Sequence, residues 1–85
     1  MHRPHPTYQV DGAAIRSLRM SRGQATAALA SQAGISRSYL TQLEIGIRER
    51  MRPPAYTALR TALGLAPDDE QLLAKSEGRK PDEVT

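Results

Sequence analysis

The apolar pattern is clearest between Thr26 and Ile45, which read TAALASQAGISRSYLTQLEI. In the first half Leu29 and Ala33 lie one helical turn apart, with Ala30 beside Leu29. In the second half Leu40 and Leu43 lie three apart, next to Tyr39. Each half thus has one apolar face, and each predicts a helix. Between them stands Gly34-Ile35-Ser36. Glycine reaches the left-handed backbone that ends a helix. Serine accepts from the free N–H groups that start the next one. The pattern predicts a helix, a turn of about three residues and a second helix over Ser36 or Arg37 to Ile45. Ala30 falls where two such helices must approach closely, and Ile35 can plug the angle between them. Arg37, Ser38, Thr41 and Gln42 fall on the polar face of the second helix.

The same periodicity extends to both sides. Asp11 can cap a helix over Gly12 to Arg22, with Ala14, Ile15 and Leu18 inward and Arg16, Arg19 and Arg22 on a charged face. Gly23 stops it. Pro54 suits the first turn of a further helix to Leu63, with Tyr56, Leu59, Ala62 and Leu63 as its apolar face. After Gly64, Pro67-Asp68-Asp69-Glu70 places acids at a positive helix end. A fifth helix is expected there, burying Leu72 and Leu73 and fading near Ser76. The expected fold is all-α, a compact five-helix bundle over residues 11–76. Residues 1–10, with Pro4 and Pro6, read as a flexible arm, and residues 77–85 as a disordered polar tail.

Eighty-five residues make one domain. The core must rest on aliphatic side chains, because there is no Phe and no Trp. The absence of cysteine excludes disulfides and thiolate metal sites. No apolar run reaches membrane length, and MHRPHPTYQV has no signal-peptide core, so the expected compartment is the cytoplasm. The net charge of +3 is unevenly placed. Residues 11–64 carry eight Arg against three acids, whereas residues 65–85 carry three bases against six acids. A basic centre suits a polyanionic partner, and arginine suits bidentate contact with phosphate or guanine. No nucleophile–base pair, metal cluster or phosphate-cradling glycine loop is present, which argues against an enzyme, and no cofactor is called for.

The strings IRSLRMSRG, LASQAGISRSYLTQLEIG and the proline-started helix ending in TALGL resemble the phage repressor and Cro-like (XRE family) helix-turn-helix DNA-binding domain. The likeness runs from about Asp11 to Lys75. It implies sequence-specific binding of double-stranded DNA, with the helix from residue 36 to 45 in the major groove. Arg37, Ser38, Thr41 and Gln42 then face bases. Arg37 would pair with guanine or hold a phosphate, and Gln42 would pair with adenine. Backbone or minor-groove contacts are implied for Thr26, Ser36, Tyr39, Arg48, Arg50 and Arg52, with Arg52 before the proline in the minor groove. Arg19 is implied to pair with Glu44 and brace the motif against the first helix.

The chain departs from that family at several positions. Ala25 stands where relatives place a capping Ser or Thr. Thr26 replaces a phosphate-binding Gln, so Thr26 is expected to cap the helix one residue late. Ile45 and Ile47 replace polar or basic residues. One recognition helix reads few base pairs, so a homodimer on an inverted repeat is expected, with the leucines of residues 63–73 as its candidate surface. The alternative is an antitoxin-like or bridging protein-interaction module, for which exposed Ile45, Ile47 and Met51 would provide the contact.

Overall fold

The computed structural model describes residues 7–74. The expected tail, 77–85, and residues 1–6 of the expected arm lie outside the described residues. Four helices are present among them: α1 (Gly12–Ser21), α2 (Thr26–Ala33), α3 (Arg37–Ile45) and α4 (Pro53–Ala62). Two short strands, β1 (Tyr8–Gln9) and β2 (Arg50–Met51), pair antiparallel with Tyr8 opposite Met51 and Gln9 opposite Arg50.

Local chemistry sets the helix ends. The Asp11 carboxylate accepts from the amides of Ala13 (3.0 Å) and Ala14 (3.3 Å) and starts α1. Gly34, at φ 71°, closes α2 in the left-handed conformation that other residues resist. Ser36 Oγ accepts from the Tyr39 amide at 3.0 Å and opens α3. Ala25 occupies the cap position of α2 and makes no side-chain bond, so Thr26 is the first helical residue rather than the cap. α1 ends one residue before the predicted Arg22, and α4 begins one residue before the predicted Pro54.

The core gathers Ile15 from α1, Leu29 from α2, Leu40 and Leu43 from α3, and Tyr56 and Leu59 from α4, with Met51, Leu63 and Leu72. Ala30 is 2% exposed, and Ile35 packs against this cluster from the turn. Gly12 allows α1 and α3 to meet. A Cβ there would run into the carbonyl oxygens of Leu43 and Glu44, and backbone cannot step aside.

The all-α, five-helix expectation is corrected in two places. Residues 66–73 form turns instead of a fifth helix. Asp69 accepts from the Gln71 amide (3.0 Å) and from Gln71 Nε2 (2.8 Å), offering the backbone a local alternative to the helix. Val10 bridges Leu73, and the Ala74 amide donates to the Gln9 carbonyl at 2.9 Å, which draws this segment into extended pairing. Leu72 is buried all the same. The second correction concerns residues 7–10 of the expected arm, which are tied into the fold. The Val10 amide donates to Glu49 O (2.8 Å) and that of Asp11 to Leu72 O (2.7 Å), and Val10 is 4% exposed.

Two surface expectations also change. Met51 is 1% exposed, because strand alternation turns it inward while its neighbour Arg50 points out. Leu63 and Leu72 belong to the core, and Leu65 and Leu73 pack against it, so those leucines do not form a free dimer surface.

Candidate nucleic-acid interface

α3 is held rigidly at both ends. At its start the Ser36 cap fixes the entry of the chain. At its end Glu44 takes a two-point grip from Arg19: Nε donates to Oε2 at 2.7 Å and Nη2 to Oε1 at 3.0 Å. Arg19 Nη1 also donates to the Gln24 carbonyl at 2.9 Å, linking the α1–α2 turn to the same clamp. The hydrogen bond to Glu44 raises the Arg19 pKa above its ordinary value against the opposing effect of burial, and the Glu44 charge adds to the rise. The pairing expected from the family resemblance is present.

The outward face of α3 presents Arg37, Ser38 and Thr41, all exposed and, among the described residues, without side-chain hydrogen bonds. Four donor-bearing or acceptor-bearing groups are therefore not all equal here, since Gln42 is engaged. Arg48 Nε donates to Gln42 Oε1 at 2.7 Å, and the Arg48 amide donates to the Gln42 carbonyl at 3.1 Å. The Arg48 guanidinium stands 5.5 Å from the centre of the Tyr39 ring, within cation–π range. The Tyr39 hydroxyl donates to the Arg50 carbonyl at 3.2 Å, so its proton is already committed and only its oxygen is free to accept. Arg50 Nη1 donates to Thr7 Oγ1 at 3.0 Å. The arginine loop is thus laced to Tyr39 and Gln42 of α3 and to Thr7, just ahead of β1.

Arg52 is exposed at the cap position of α4, and its side chain makes no capping bond. Thr26 is half-buried at the first position of α2. Ile45 and Ile47 are 63% and 70% exposed, with Gly46 between them at φ 90°, and Ile45 borders a groove lined by Gln9 to Ala13. Sequence reasoning missed the bonds Arg48–Gln42 and Arg50–Thr7. Neither has a helical or strand spacing, so no local signal announces them.

Residues 12–73 match the model of a family described as a helix-turn-helix domain. The chain belongs to that helix-turn-helix domain family. Among solved structures it is similar to the restriction-modification controller protein C.AhdI from Aeromonas hydrophila. The two share 34% identity at a TM-score of 0.61, over 66% of this chain and 83% of that one. It is also similar to the clp gene regulator ClgR from C. glutamicum, with 34% identity and a TM-score of 0.58 over 65% of this chain and 70% of that one. No curated protein matches the chain significantly.

Proposed function

We propose that the chain is a sequence-specific double-stranded DNA-binding transcriptional regulator, a repressor that acts as a homodimer by occupying its operator in the cytoplasm. The observation that carries this reading is the exposed, unbonded set Arg37, Ser38 and Thr41 on a helix capped by Ser36 and clamped through Glu44. Such a helix loses little freedom when it enters a major groove. Arg37 and Ser38 read bases from its first turn, with Thr41 and Gln42 one turn on. Arg48, Arg50 and Arg52 follow the sugar-phosphate backbone, Arg52 at the minor groove, with Ser36 and Thr26 as weaker phosphate contacts. Tyr39 serves the backbone by orienting Arg48 and Arg50. The names of the two similar structures, a controller protein and a gene regulator, agree with a regulatory role.

A second reading, a protein-interaction module that also contacts DNA, draws on the exposed Ile45 and Ile47. Selection from a random duplex library, followed by a salt titration of the winning site, separates the two. A DNA regulator returns an inverted repeat with half-site centres about 34–36 Å apart. Three arginines on the sugar-phosphate backbone give log K a salt slope of roughly −2.7 per protomer, at about −0.9 per contact. No enriched site, or a flat salt dependence, overturns the proposal.

A further inference from the structure

Gln42 and Arg48 together define what the second turn of α3 can read. This inference rests on the proposal that α3 enters the major groove. An arginine side chain only donates hydrogen bonds, so the amide atom that meets Arg48 Nε at 2.7 Å must be the oxygen. Arg48 is itself held at two further points: its amide donates to the Gln42 carbonyl, and its guanidinium lies over the Tyr39 ring. Tyr39 is anchored in turn through the Arg50 carbonyl. The orientation of the Gln42 amide is therefore set by the protein before any base arrives. Its oxygen faces Arg48, and its NH2 group has no protein partner among the described residues.

A glutamine that pairs with adenine uses both halves of its amide, accepting from N6 and donating to N7. Here the accepting half is occupied. The NH2 half has two donors and suits a base edge made only of acceptors, which in the major groove is guanine, with N7 and O6. We infer that Gln42 acts as a donor-only reader of guanine and that Arg48 is the positioning residue that denies it adenine. This replaces the adenine pairing expected from residue type alone.

Binding-site selection from a randomised duplex library, with the wild type and four variants, tests the inference. Gln42→Ala identifies the position that Gln42 reads, because preference is lost there alone. At that position the wild type favours guanine over adenine about tenfold, the scale of one good base contact. Arg48→Ala frees the amide to turn and brings that ratio close to one, while other positions keep their preference. Arg50→Ala weakens all sites without changing the ratio. Gln42→Glu keeps an acceptor for Arg48 but has no donor, and it shifts the position toward cytosine, whose N4 donates. It also carries the test if Arg48→Ala fails to fold by circular dichroism. Adenine preferred by the wild type, or a guanine preference untouched by Arg48→Ala, overturns the inference. A sharp site with no position sensitive to Gln42→Ala overturns it while leaving DNA binding intact. Failure of the wild type to select any duplex overturns the DNA reading itself.

Discussion

Replacing Glu44 by Gln keeps the shape of α3 and removes the charge that Arg19 faces. The side chains of the pair are 12% and 5% exposed, which places them outside the regime of solvent-exposed surface pairs worth about 0–1 kcal/mol. Stripping one partner from a fully buried pair costs about 3–5 kcal/mol. Glutamine retains one acceptor for Arg19, so one of the two bonds keeps only the arginine's charge and the other is lost. The expected loss is about 2–3 kcal/mol. At roughly 4–8 °C per kcal/mol for a domain of this size, Tm should fall by about 10–20 °C. Urea unfolding followed by circular dichroism measures the loss. A double-mutant cycle with Arg19→Met and Glu44→Leu isolates the pair itself. Each single change should be costly and the double nearly neutral, because a well-packed apolar replacement of a buried pair is often tolerated. A coupling energy under about 1 kcal/mol would mean that solvent screens the pair as it does a surface contact, and the clamp on α3 would have to be abandoned.

Other substitutions probe separate elements. Ala25→Ser, at a cap position with extended backbone (φ −75°, ψ 152°) and no side-chain bond, should stabilise the fold by about 1 kcal/mol in urea; an unchanged midpoint would contradict the missing-cap account. Gly12→Ala should cost about 3 kcal/mol, since its Cβ would meet α3 backbone rather than a flexible side chain, and a silent result would show that α1 and α3 do not touch as described. Burial raises the Tyr56 hydroxyl pKa, and the nearby Arg60 charge only partly offsets this. The fold therefore favours the neutral form. Its contribution is complete below the unfolded pKa of about 10 and is lost as pH rises through the higher folded value. Tyr56→Phe should flatten that alkaline loss of stability in urea midpoints taken across this range, and an identical pH slope would refute the assignment.

Features written locally in the chain were legible without the structure. The apolar spacing of α1 to α4, the Gly34 turn and the Ser36 cap all follow from residues within a few positions of one another. The Arg19–Glu44 clamp joins residues 25 apart and was accessible only through family resemblance. The sheet was not legible, because strands of two residues carry no period and the partners of Tyr8 and Gln9 lie more than 40 positions away. The acidic run at residues 68–70 looked like a helix start, yet the local bonds of Asp69 and the pull of the Val10–Leu73 bridge prevailed. In the candidate site, exposure of Arg37, Ser38 and Thr41 could be read from the helical face. The capture of Gln42 Oε1 by Arg48 could not, since a loop residue's return onto a helix depends on the tertiary path.

Mapping the DNA contact on the protein by amide chemical-shift perturbation, with the selected duplex titrated into labelled protein, tests the proposed interface most directly. Reading by α3 predicts the largest shifts over residues 36–42 and the arginine loop 48–52, with loss of the 36–42 response in the specific complex when Arg37 is replaced by Ala. Shifts confined to Ile45, Ile47 and the neighbouring groove of Gln9 to Ala13, or spread evenly over the basic surface, would contradict it.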